Sequence, residues 1–199
     1  DLVRSRGLGD VYKRQKHFNF ITRIFSTGED TVQTNVVPIV TACREMSETK
    51  TGALIVIGQQ SDLRLIAEGG IALDAKVSTS LIKNIFFKNA PLHDGAVVVR
   101  GDRVIAAACL LRLSDTTGVG RDLGTRHRAG LGVSEISDAK VFIVSEETGI
   151  ISMAEGGRLV RHLDEASLRQ ILHGIYDAQD KDARVPLLHF KQRRKGAHD

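Results

Sequence analysis

Tryptophan is absent from this sequence of 199 residues; cysteine, methionine and tyrosine occur twice each, and proline three times. Cys43 and Cys109 are too few and too far apart for a disulfide framework or a zinc motif. Both fall in apolar phases, so they are expected as buried small hydrophobes in a reducing cytoplasm. No run approaches about 18 apolar residues, and no charged start precedes an apolar core, so neither a membrane-spanning helix nor a signal peptide is expected. The chain as given is therefore expected to be soluble and cytoplasmic. Aromatic residues make up 5% and do not interleave with basic ones, which speaks against nucleic acid as a partner. Internal repeats and low-complexity segments are also lacking.

A charge excess in the body is missing too. The net charge is +4, but residues 1–16 carry five Lys/Arg against two Asp, and residues 191–199 carry four against one. Each tail contributes +3, leaving about −2 for the rest. A pI near 9.2 is thus a property of the ends.

What is present is ordinary globular composition, 42% hydrophobic against 26% charged, in a length suited to one domain. Residues 1–15 have no amphipathic period and, from Gly7 on, look like translated adapter, so residues 1–16 are expected as a non-native or disordered tail. Residues 17–32, with Phe18, Ile21 and Phe25 on one face, suit a linker helix. Residues 33–180 form the expected domain, and 181–199 a basic tail that frays beyond Asp180.

Within the domain, Val36, Ile39, Val40, Cys43 and Met46 recur as one helical stripe over Asn35 to Ser47, with Pro38 tolerable only near the first turn. Ala53 to Ile57 reads as a strand buried on both sides, and Leu63 to Ala67 as a second strand after a polar turn. Ser78 or Thr79 can cap a helix bearing Leu81, Ile82, Ile85 and Phe86. Ala96 to Val99 and Val104 to Leu111 pair as a hairpin about Gly101-Asp102, which makes Arg100-Gly101-Asp102 turn chemistry rather than an adhesion signal. Lys140 to Ser145, Ile150 to Ala154 and Arg158 to Leu163 read as three more strands. Asp164 caps a last helix carrying Leu168, Ile171, Leu172 and Ile175. Seven strands that do not alternate strictly with helices predict a mixed α/β fold: a central sheet, partly parallel and partly antiparallel, flanked by helices.

Two polar clusters bracket the hairpin. His93-Asp94-Gly95 stands just before an apolar strand, where the glycine allows a ligand close to the backbone. Arg126-His127-Arg128 follows a loop rich in Gly, Asp and Thr; two guanidiniums near a helix start suit phosphate. Gly118, Gly120 and Gly124 miss the dinucleotide fingerprint and are expected to keep that loop thin. Taken alone, Asp94 could also be a turn residue, Arg126-His127-Arg128 a solvated surface, and His93 a structural hydrogen-bonder.

Asp94-Gly95-Ala96 and Arg126-His127-Arg128 resemble the two hallmark motifs of the diadenylate cyclase (DAC) domain. The resemblance extends over roughly residues 33–176, through Thr51 to Ile57, Gly70 to Ala75, Asn89 to Ala96, Ala107-Ala108-Cys109, Leu123 to Arg128 and Val144 to Gly149. It is similar in particular to the membrane-anchored CdaA branch, which implies a natural chain with transmembrane helices ahead of a cytoplasmic catalytic domain.

The resemblance implies condensation of two ATP into cyclic di-AMP, a second messenger, with release of two pyrophosphates. It assigns Asp94 to the 3′-hydroxyl and to a divalent metal, and Arg126 and Arg128 to the triphosphate and the leaving pyrophosphate. Gly95, Ala96, Leu111, Thr125 and His127 join them as substrate-binding residues, Leu111 through its backbone at the adenine edge. His93 and Glu147 are implied as further metal ligands; imidazole plus carboxylate suits Mn²⁺ better than Mg²⁺, with Co²⁺ also compatible. One copy of each motif implies one ATP site per chain, hence a head-to-head homodimer for catalysis. Two other functions remain open: a sensor that binds ATP or cyclic di-AMP without turnover, and a metal-dependent phosphohydrolase using His93 and Asp94.

Overall fold

The computed structural model describes residues 28–115 and 123–193, with side chains over 35–115 and 123–179. The expected tail 1–16, the expected linker helix up to residue 27, and the loop glycines Gly118 and Gly120 lie outside the described residues. The elements are α1 (Gly28–Glu48), β1 (Ala53–Ile57), α2 (Arg64–Glu68), β2 (Ile71–Lys76), α3 (Thr79–Ile85), β3 (Ala96–Arg100), β4 (Arg103–Cys109), α4 (Thr125–Ile136), β5 (Lys140–Val144), β6 (Ile151–Glu155), β7 (Arg158–Val160) and α5 (Glu165–Arg193).

The strands form one seven-stranded sheet in the order β2-β4-β3-β1-β5-β6-β7. Only β1 and β3 run parallel, joined by a crossover that contains α3; every other neighbouring pair is antiparallel. The mixed sheet expected from the sequence is therefore the fold.

β1 shows why the sheet has two cores. Its five residues are all buried, and their side chains alternate between faces. Ala53, Ile55 and Ile57 pack under α1, α3 and α5, which contribute Ile39, Cys43, Ile82, Leu168 and Leu172, with Phe86 just after α3. Leu54 and Val56 face the other way, against Ala129, Leu131 and Val133 of α4 and Leu63 before α2.

Two readings need correction. Leu63 to Ala67 is not a strand: Leu63 is buried while Leu65 is exposed, a helical rather than an alternating pattern, and Asp62 Oδ1 accepts from the Arg64 N–H at 3.0 Å to start the turn. The seventh strand is instead β2, a short edge strand in which Leu73 and Ala75 are half-buried while Ala72, Asp74 and Lys76 stay exposed. Pro38 is not near a first turn but inside α1. An interior proline costs roughly 3 kcal/mol. The buried stripe of Val36, Ile39, Val40, Cys43 and Met46 offsets it, at roughly 1.5–3 kcal/mol for each large apolar side chain.

Smaller differences lie at the ends. β4 stops at Cys109 and β7 at Val160, short of Leu111 and Leu163; positive φ at His162 (61°) lies just past β7, and that at Ala108 (53°) falls at the register shift before β4's last paired residue, Cys109. The backbone of α5 remains helical to Arg193, past the expected fraying at Asp180. Ser78 is the N-cap of α3, accepting from the Leu81 N–H at 3.2 Å, and Asp164 accepts from the Ser167 N–H at 2.8 Å at the start of α5.

Candidate active site

A cavity of about 430 Å³ opens on the α4 side of the sheet, lined by residues that include His93, Asp94, Gly95, Leu111, Thr125 and Arg126. Both polar clusters therefore reach one place, though not all of their members do. Leu54, Cys109, Leu110, Leu113 and Ala129 supply an apolar wall, and Glu146 completes the polar side. The volume falls within the range of small-molecule sites, roughly 300–1,000 Å³.

The first cluster is held by backbone. Gly95 has φ +103°, and a Cβ there would lie 2.7 Å from the Cys109 carbonyl oxygen and 2.9 Å from the Ala108 carbonyl carbon. What approaches Gly95 so closely is β4 itself, at the residue where its register shifts. The glycine thus lets the chain enter β3 hard against the neighbouring strand, with Asp94 just ahead of it. Asp94 is exposed and His93 half-buried. His93 Nδ1 lies 2.6 Å from the Ala90 carbonyl oxygen, so Nδ1 is the donor there, and in the neutral ring the lone pair is on Nε2.

The second cluster is the first turn of α4, and helix geometry divides it. Residues two apart on a helix point to nearly opposite sides. Arg126 lines the cavity, His127 is buried, and Arg128 is exposed, its Nη2 reaching the Ser114 carbonyl oxygen at 3.4 Å. Arg128 thus lies outside the cavity lining, tied to the segment that follows β4. Gly124 is the N-cap and offers no side-chain cap, so no cap side chain occupies the first N–H groups beside Thr125, which lines the cavity.

Of the remaining sequence candidates, Ala96 is fully buried in β3 and Glu147 is exposed and does not line the cavity. Among the described residues no group of three His, Cys, Asp or Glu side chains could hold a metal ion. The metal set His93, Asp94 and Glu147 is therefore not assembled within one chain. Of the three, His93 and Asp94 line the cavity, a donor pair that suits an ion whose other ligands come from substrate phosphates or water.

Sequence reasoning missed Glu146 and Gly52. Glu146 Oε2 accepts from Arg126 Nη1 at 2.5 Å, and Gly52 leaves the space in which the two meet. Cys109 borders the cavity, and burial pushes its thiol up to about 11. At that value it is a packing group rather than a nucleophile.

Comparison with known proteins bears on this site. The family described as "DAC: DisA bacterial checkpoint controller nucleotide-binding" matches residues 40–159. The chain is 38% identical over 177 residues to "Cyclic di-AMP synthase CdaA" of Bacillus subtilis, covering 89% of this chain and 65% of that protein. It is 42% identical over 154 residues to "Diadenylate cyclase" of Listeria monocytogenes, covering 77% of this chain and 56% of that one. It is 35% identical over 168 residues to "Diadenylate cyclase" of Mycoplasma pneumoniae, covering 81% of this chain and 82% of that one. The chain thus spans a little under two thirds of the Bacillus protein and just over half of the Listeria one. Among solved structures it resembles a double mutant of DacA from Staphylococcus aureus, with TM-score 0.70 and 40% identity over 74% of this chain and 96% of that one. It also resembles a "hypothetical membrane spanning protein" from Bacillus cereus, with TM-score 0.62 and 43% identity over 63% of this chain and 62% of that one.

Proposed function

This chain belongs to the DAC family, and from that premise we propose that it is a diadenylate cyclase, joining two ATP molecules into cyclic di-AMP and releasing two pyrophosphates. The observation that carries this reading is the convergence of Asp94, Thr125 and Arg126 on one cavity with an apolar wall. The carboxylate, the guanidinium and the helix start supply what phosphoryl transfer needs, and Leu54, Leu111 and Leu113 supply a surface for a purine.

In each of two equivalent steps the 3′-oxygen of one ATP bonds to the α-phosphorus of the other, and the bond from that phosphorus to the β-bridging oxygen breaks. The hydroxyl proton passes to Asp94 or to water, and the electron pair leaves with pyrophosphate. Arg126 faces the charge that grows on the departing pyrophosphate, and the Thr125 hydroxyl and the free N–H groups of α4 hold the remaining oxygens. Arg128 acts from outside the lining, through the segment at Ser114.

His93 and Asp94 would hold a divalent ion, Mn²⁺, Mg²⁺ or Co²⁺, together with substrate phosphates. Bound there, the ion neutralises phosphate charge and lowers the pKa of a hydroxyl it touches. The Ala90 carbonyl, which Nδ1 approaches, orients the ring and leaves Nε2 as the nitrogen that would bind the ion.

The cavity with Asp94 and Arg126 holds one ATP in each chain, and the product needs two bonds, so two chains face each other about a two-fold axis with these cavities apposed. Among the described residues no helix is long and apolar enough to cross a membrane. Attachment of a longer natural chain to a membrane, with this domain on the cytoplasmic side, is the localisation we propose; the similar Bacillus cereus protein, described as membrane spanning, supports it.

Incubation with ATP and Mn²⁺, with products resolved by mass, tests the reading. Cyclic di-AMP is expected; unchanged ATP would indicate a sensor, and ADP or AMP a phosphohydrolase.

A further inference from the structure

The cavity contains one interaction that phosphate binding by itself does not require. Arg126 Nη1 donates to Glu146 Oε2 at 2.5 Å, and the guanidinium side chain is 20% exposed against 62% for its partner. An ordinary surface ion pair has two exposed members that solvent can replace; here the cation is sunk in the wall and held at one amino group. Arg126 Nε is buried without a hydrogen-bond partner, so Glu146 leaves donors of the fork unused. The pair also fits against backbone. A Cβ at Gly52 would lie 2.7 Å from Arg126 Nη1 and 2.9 Å from Glu146 Oε2. Three segments, the entry to β1, the start of α4 and the turn after β5, thus fix one guanidinium.

We propose that Glu146 is a positioning residue for the reaction: by gripping one amino group of Arg126 in the space Gly52 leaves, it holds the guanidinium where its remaining donors meet the triphosphate. The nature of that ligand rests on the cyclase reading above; the placement of Arg126 does not. Without the carboxylate the guanidinium can swing, and catalysis depends on such placement, where a shift of about 1 Å can cost about a hundredfold. Removing Glu146 also removes a negative charge beside the triphosphate, so binding of ATP should not weaken. The signature is a fall in kcat with KM unchanged or lower, whereas general loosening of the fold would worsen both.

The test uses the full chain with Glu146→Ala, Glu146→Gln and Gly52→Ala. At Gly52 the atoms in the way are the ends of two flexible side chains, so an added methyl displaces the pair without breaking the strand. Glu146→Ala is expected to lower kcat about tenfold or more with KM for ATP no higher. Glu146→Gln, whose amide oxygen still accepts from Nη1, should recover to within about threefold of the unaltered protein. Gly52→Ala should behave like Glu146→Ala. Independently of turnover, the Arg126 Nε–Hε resonance in a nitrogen–proton NMR spectrum, assigned by its loss in Arg126→Lys, should be sharp in the unaltered protein and in Glu146→Gln, and broadened or lost in Glu146→Ala and Gly52→Ala. Retention of kcat within about twofold by Glu146→Ala, equal damage by Gln and Ala, or an unchanged resonance in Glu146→Ala would overturn the proposal. If the unaltered protein makes no cyclic di-AMP, the cyclase reading falls, and the resonance alone decides whether Glu146 places Arg126.

Discussion

The two faces of the sheet are built from the same strands and differ in how they are covered. On one, α1, α3 and α5 seal a continuous core that runs from Val36 to Tyr176. On the other, α4 and the short α2 cover a smaller cluster, and the uncovered part is the cavity that holds Asp94 and Arg126. One face spends its side chains on packing, while the other leaves polar groups where a ligand can reach them. Positive φ at Gly95 and Ala108, with the β4 register shift beside them, falls on the open side of this division, where strain is usual near sites.

The sharpest way to break this comparison is at Asp94. Asp94→Asn should abolish cyclisation while ATP binding stays within about tenfold and thermal stability is unchanged, because the lost charge acts on the transition state more than on the ground state. Near-normal product from this variant would show that the open face does not work as described.

On the sealed face the effects should be exchanged. Leu172 is fully buried, and Leu172→Ala should cost about 2–5 kcal/mol of stability in denaturant unfolding. Product formed per folded molecule should be unchanged. A drop in specific activity larger than the drop in folded fraction would mean that the faces are not independent.

Within the open face, helix geometry separates the two arginines. Arg126→Ala should lose about 2–4 kcal/mol in kcat/KM, with partial recovery by Lys, which lacks the fork. Arg128→Ala should lose less, since its side chain meets the Ser114 carbonyl rather than the cavity. Equal losses from steady-state kinetics would place both guanidiniums on the triphosphate.

The smallest effect concerns the N-cap of α5 on the sealed side. The Ser167 backbone N–H holds the Asp164 carboxyl below its usual range. A lowered folded-state pKa stabilises the protein fully above the unfolded value, about 3.9, and the contribution is lost as pH falls through the folded value. Asp164→Ala should therefore lower Tm at neutral pH, and the difference from the unaltered protein should shrink in acid. A difference independent of pH would point to packing rather than to the cap.

How much of this was legible in the sequence follows the same division. The stripe of α1, the doubly buried β1 and the cap of α5 are periodic or local signals, and each was readable. β2 was not, because its alternation of Leu73 and Ala75 with Asp74 and Lys76 is short and none of its residues is fully buried, and Pro38 misled because burial outweighs its local cost. At the site, Asp94 and Arg126 were found through motif resemblance. The motif could not show that Arg126 and Arg128 diverge on a helix. Nor could sequence separate Glu146 from Glu147. On β5, Val141 and Ile143 face the α4 side, and that parity carried past Val144 would select residue 147. The turn intervenes: Ser145 Oγ accepts from the N–H groups of Glu147 at 3.3 Å and Thr148 at 3.2 Å, and Glu146 is the residue at the cavity.

The central claim, that each chain carries one ATP cavity and activates one 3′-hydroxyl, is tested most directly by a tethered pair in which one copy has Asp94→Asn and its partner is unaltered, under conditions that exclude exchange. One bond can then form and ring closure should stall, so the account predicts accumulation of the linear triphosphorylated dinucleotide with little cyclic di-AMP. Cyclic product at about half the unaltered rate or more would show that one Asp94 serves both steps, and would contradict it.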